Sequence, residues 1–140
     1  MASAWVRVLL GVVGVLDAVT GGWAVVDPGG FYDDYPGFGR HWVSTQGPYN
    51  EHLVTDAGAG FLAVGVVLIV AAMWGRRVAV QIAALALIVH SVPHFIFHLT
   101  NPDDDISTAD RAIATWGLAL EALIGLVGLM AGGRRTSGYR

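Results

Sequence analysis

Four apolar runs, each near or above the roughly 20 residues that an α-helix needs to cross a bilayer, leave this chain few folds to choose from. The first extends from Ala4 to Val26 and stops at Asp27-Pro28-Gly29-Gly30, where proline cannot continue a helix and the glycines release the chain. The second, Ala57 to Trp74, is short by itself. Pro48 suits a first helical residue, so the helix is expected to start before His52 and to enter the membrane at Asp56. The third goes from Val78 to Leu99 and stops at Thr100-Asn101-Pro102. The fourth follows Ser107-Thr108-Ala109-Asp110, which has capping-box spacing, and ends near Met130. The expectation is an all-α, four-transmembrane-helix bundle in one integral domain, with spans 4–26, 50–74, 78–99 and 109–130 and an outer loop at 27–49.

Composition agrees. Only 14% of residues are charged, against about a quarter in soluble domains, and mean hydropathy is +0.57. The absence of cysteine excludes a disulfide scaffold, a thiolate metal site and a cysteine nucleophile, and a net charge of −3 offers no basic surface for nucleic acid. A signal peptide is a poorer account of the first run, which is longer than a usual h-region and contains Asp17.

Charge between the spans is divided. Arg7, Arg76, Arg77, Arg134, Arg135 and Arg140 fall on one side with no acidic residue among them. Asp27, Asp33, Asp34, Glu51, Asp56, Asp103, Asp104, Asp105 and Asp110 fall on the other, against Arg40 and Arg111. The positive-inside rule therefore predicts a multi-pass plasma-membrane protein with both termini cytoplasmic. Trp5, Trp23, Trp74 and Trp116 lie near span ends, as interfacial rings do.

The outer loop carries Phe31, Tyr32, Tyr35, Phe38, Trp42 and Tyr49 among its glycines and prolines, a density of aromatics that predicts an ordered cap over the bundle mouth. The alternative is an interfacial anchor without a ligand. The strings FYDDYPGFGRHWV (Phe31 to Val43), GPYNEHLVTD (Gly47 to Asp56) and PHFIFHLT (Pro93 to Thr100) resemble a group of small, uncharacterised four-helix membrane proteins of actinobacteria, similar in architecture to the DoxX-like proteins. The resemblance implies a fold and a membrane location and supplies no catalytic residues.

Ionisable residues within spans are costly and mark function by default. Asp17, His90 and Glu121 fall near mid-membrane, while His94, His98, His52 and Asp56 lie in the outer half. Small residues share their stripes: Gly14 and Gly21 with Asp17; Gly117, Gly125 and Gly128 with Glu121; Gly60 with Asp56; Ala83 and Ala86 with His90 and His94. All four helices are thus expected to turn their ionisable groups into a shared interior, where they either fix helix register by pairing, or with the Val89 carbonyl freed by Pro93, or hold a ligand.

His90, His94 and His98 are spaced i, i+4, i+8, so the outer two stand about 12 Å apart along the axis, too far for one ion with bonds of about 2 Å. An adjacent pair is not. His94 and His98, joined by His52 and Asp56 from the second span, form a nitrogen and oxygen set suited to a transition metal, or to haem, with Asp17, His90 and Glu121 as a deeper polar layer or proton relay. The sequence contains no serine elbow, phosphate loop or HExxH. The functional expectation is a binding or accessory membrane protein whose cluster holds a metal, haem or proton. Two alternatives stay open: a small membrane enzyme or redox component acting on a lipid or quinone by acid and base chemistry, and a structural subunit whose glycine-lined faces serve a homo-oligomer or a larger membrane complex.

Overall fold

The computed structural model describes residues 1–133; Arg134, Arg135 and Arg140 of the charge argument lie outside them. Four long helices form a bundle: α1 (Ala4–Val26), α3 (Glu51–Trp74), α4 (Arg77–Thr100) and α5 (Thr108–Gly133). Each is long and apolar enough to cross a membrane, and the chain is a multi-pass membrane protein. Much of its apolar surface faces outward, including Val8, Leu16, Val19, Val70, Ile82 and Leu123. A soluble monomer does not expose such a belt; lipid covers it at no cost.

Local chemistry fixes the helix ends. Asn50 caps α3 by accepting from the Leu53 amide at 3.1 Å, so the helix begins after Pro48 rather than on it. Gly75, at φ 64°, ends the same helix in the left-handed conformation that glycine tolerates. Arg7 then donates to the terminal carbonyls of Ala72 (2.7 Å) and Met73 (3.2 Å), and the Ala2 amide donates to Gly75 (2.8 Å). At α5 the expected capping box forms: Ser107 accepts from the Asp110 amide at 3.1 Å and donates to its carboxylate at 2.7 Å.

The bundle is two antiparallel pairs, α1 with α3 and α4 with α5, joined through a core of Val6, Leu10, Val13, Leu68, Ala71, Val80, Ala83 and Leu87 at the arginine-bearing end. Glycine lets the first pair meet backbone to backbone: Gly14 and Gly21 of α1 lie against Gly65, Leu68, Gly58 and Leu62 of α3. Gly125 and Gly128 of α5 lie against Ala84 and Ile88 of α4. Two expected contact positions do not pack, since Gly60 and Gly117 both face open space. The contact face of α3 is Gly58 and Gly65; Gly60 lies two residues, about 200°, around the helix from Gly58.

The segment between α1 and α3 is more structured than a loop. Asp27 ends α1 and, by accepting from the Gly30 amide at 3.0 Å, starts α2 (Pro28–Asp34) with Pro28 in its first turn. The Pro-Gly-Gly expected to release the chain is therefore helical. A two-residue hairpin follows, β1 (Pro36–Gly37) with β2 (Arg40–His41), closed by Phe38 and Gly39 at φ 60° and 73°. A 3₁₀ turn (Ser44–Gln46) leads to α3. Trp23, Phe31, Tyr35 and Trp42 touch in sequence, the first and last contacts edge-on, with centroids 5.7 Å (Trp23 to Phe31), 4.7 Å (Phe31 to Tyr35) and 6.0 Å (Tyr35 to Trp42) apart. The cap is pinned to the first turn of α5 by Arg40 to Asp110 (3.1 Å) and to the α4–α5 connection by Thr45 and Gln46, both donating to the Asp103 carboxylate at 2.5 Å.

Candidate functional site

The cap half of the interior holds two polar units. The first is on α4. Its i, i+4 spacing brings the Nε2 atoms of His94 and His98 to 3.1 Å, the convergence expected of neighbouring turns. A contact between two ring nitrogens requires one ring to donate its N–H and the other to accept it. His90 stands apart. Its ring centroid is 6.3 Å from that of His94, and Phe61 of α3 packs edge-on against both rings, at 4.5 Å and 5.7 Å. At the cap end, His98 lies within electrostatic reach of Asp103. Burial opposes ionisation of Asp103, but hydrogen bonds from Thr45, the Asp105 amide and Gln46, with the nearby His98, outweigh it and hold the carboxyl below its usual range.

The expected ligands from the second span do not join this pair. His52 and Asp56 face outward, with side chains 88% and 65% exposed, and contact each other at 3.4 Å. Asp56 is two residues from the buried Gly58, which turns it to the far side of α3. Among the described residues no group of three or more His, Cys, Asp or Glu side chains gathers with the geometry of a metal site. His41 in the cap engages the Asp33 carbonyl at 2.6 Å.

The second unit is the deeper layer. Asp17 is 3% exposed, and its Oδ2 has no hydrogen-bond partner; the same holds for Oε2 of Glu121 and Nε2 of His90. Each of the three thus has an enclosed polar atom, although Gly117 of the Glu121 stripe faces open space. They do not pair with one another through those atoms, and Val89, whose carbonyl Pro93 frees, is on an exposed face. The residue that sequence reasoning missed is Tyr35. It belongs to the aromatic cap, yet it is hydrogen-bonded with the Thr20 side chain of α1 and lies within electrostatic reach of Glu121 and Asp17. Burial first, then those two charges, hold its phenol above the ordinary range against the opposing effect of the Thr20 hydrogen bond. Trp42 beside it buries an Nε1 without a partner. The interior is thus built from α1, α4, α5 and the cap, with α3 supplying an aromatic wall where an ionisable group was expected.

Comparison with protein-family models, with curated proteins and with solved structures finds no match to this chain. Fold and site together define a class: a small multi-pass membrane protein with a four-helix bundle, a folded cap and a polar interior beneath it.

Proposed function

We propose that the protein is a binding or accessory component of the plasma membrane that stores a proton on the His94–His98 pair, in exchange with water through Asp103. The observation that carries this reading is the 3.1 Å separation of the two Nε2 atoms, which is hydrogen-bonding distance for one proton between two imidazoles. Asp103 supports an exchange route, since its carboxylate accepts from Thr45 of the cap and lies within electrostatic reach of His98. The charge division between the spans supports cytoplasmic termini, which would put the pair in the outer half of the bilayer.

A test is ¹⁵N NMR of the histidine-labelled protein in lipid nanodiscs. One Nε2 of the pair should carry a proton and the other should accept it, and His94→Ala should return the surviving ring to the shift of an unpaired imidazole. Two unpaired rings in the wild-type spectrum would refute the reading.

The same separation favours a second reading. Two imidazole nitrogens about 3 Å apart also fit one transition metal with bonds of about 2 Å, with remaining positions filled from outside the described side chains. Metal analysis and an absorption spectrum of protein purified without chelator separate the two. A stoichiometric metal or a haem band that His94→Ala abolishes and His41→Ala leaves intact would replace the proton by the metal centre.

A further inference from the structure

At the arginine-bearing end, the outer side of the α1–α3 pair carries a groove of about 480 Å³, whose lining includes Arg7, Val8, Gly11 and Val15 of α1 and Ile69 and Ala72 of α3. Gly11 and Ala72 keep its floor low. A Cβ added at Gly11 would meet the Ala72 Cβ at 3.6 Å, so a larger side chain there would stand in the groove. From Arg7 to Val15 the groove descends about 12 Å, most of the roughly 15 Å of hydrocarbon in one leaflet. Its mouth lies at interfacial level, since Trp5 and Trp74 stand exposed at the same end.

Charge sets this groove apart from any other lipid-facing furrow. The Arg7 guanidinium at its mouth donates to the Ala72 and Met73 carbonyls through Nε and Nη2, at 2.7 Å and 3.2 Å, leaving Nη1 for a further acceptor. It lies against Gly75, whose added Cβ would come within 2.9 Å of the Arg7 Cζ. Arg76, next in the chain, is exposed, and its side chain makes no cap bond to α4. No Asp or Glu occurs in residues 1–16, 57–102 or 122–140, so the chain supplies no carboxylate at this end to balance these arginines.

We propose that this groove binds one anionic phospholipid, with an acyl chain along Val8, Gly11 and Val15 and the phosphate on Arg7 and Arg76. The carbonyls at the end of α3 already hold the Arg7 fork in place, so little side-chain freedom is lost when a phosphate docks on it. The site is independent of the histidine pair.

The experiment is native mass spectrometry of the detergent-solubilised protein, titrated with phosphatidylglycerol or phosphatidylcholine of identical acyl chains. The expected result is one phosphatidylglycerol retained per chain, about tenfold or more in preference to phosphatidylcholine. Arg7→Gln and Arg76→Gln should each lower that preference about fivefold, the effect of one basic residue beside an anionic headgroup, with helicity by circular dichroism unchanged. Filling the groove should abolish retention, by Gly11→Leu from its floor or by Val15→Trp from its deep end, whereas Gly11→Ala should keep it. Free glycerol phosphate should not compete, because it lacks the chain. His94→Ala should leave the site intact, so this proposal and the histidine reading fail separately. Equal retention of the two lipids, a site that survives both groove-filling variants, or displacement by glycerol phosphate overturns the proposal.

Discussion

Substituting Gly65 by alanine tests whether α1 and α3 meet along a rigid backbone seam. A Cβ built there would stand 2.5 Å from the Ala18 amide nitrogen and 2.7 Å from the Gly14 carbonyl oxygen. Both atoms are α1 backbone, so no rotamer change relieves the clash. Ordinary contact needs about 3.5 Å, so the two helices must part by up to about 1 Å. Overpacking of this kind costs about 1–3 kcal/mol, while glycine to alanine in a helix interior returns about 1 kcal/mol of propensity. Gly60 on the same helix supplies the control, because nothing lies within 4 Å of a Cβ there. Gly60→Ala should be neutral or stabilising by up to about 1 kcal/mol, and Gly65→Ala should be about 1–3 kcal/mol less stable than Gly60→Ala. Unfolding by denaturing detergent in mixed micelles measures the difference. Spin labels on one exposed site of each helix, introduced through cysteines that the native chain lacks, measure the separation. If Gly65→Ala is as stable as Gly60→Ala with the helix spacing unchanged, the seam does not exist as described.

Three further outcomes are expected. Because the Asp103 pKa is depressed in the folded protein, its contribution is present above the ordinary carboxylate pKa of about 4 and is lost as pH falls through the lower folded value. Trp42 fluorescence should report loosening of the cap in that acid range, and Asp103→Asn should abolish the transition. Tyr35 has the opposite sign: its raised pKa gives stability that is present below about pH 10 and lost as pH rises through the folded value. The phenolate absorbance of Tyr35 should therefore emerge late in an alkaline titration, and Tyr35→Phe should remove that component. For topology, a reporter active only in the cytoplasm should be active when fused after Arg140 and silent when inserted near Gly37. Reversed activities would refute the orientation.

The class of the fold and its four long apolar helices were legible from the sequence because they depend on local chemistry and on the solvent. In hydrocarbon every backbone group must be satisfied within the segment, so a long apolar run with a cap such as Ser107 and Asp110 has one stable form. The His94–His98 contact was legible for the same reason, since i, i+4 on a helix is fixed by its pitch. Aromatic density likewise announced an ordered cap, although the helical reuse of Pro28-Gly29-Gly30 depended on the Asp27 side chain turning back onto Gly30.

Which face of each helix turns inward was decided only by tertiary structure. In a soluble helix an apolar stripe marks the core, but in a membrane the lipid-facing side is equally apolar and the pattern loses its contrast. Small residues were the remaining guide, and α3 carries them on opposite sides: Gly58 and Gly65 pack against α1, whereas Gly60, on the same stripe as Asp56, does not. The rotation that buries the first pair sends His52 and Asp56 outward and brings Phe61 against His90 and His94. Tyr35 was beyond sequence reasoning for a different reason. Its hydroxyl meets Thr20, near Asp17 and Glu121, only because α2 and the hairpin fold back over the bundle, and that path is set by packing among Trp23, Phe31 and Trp42 rather than by any spacing along the chain.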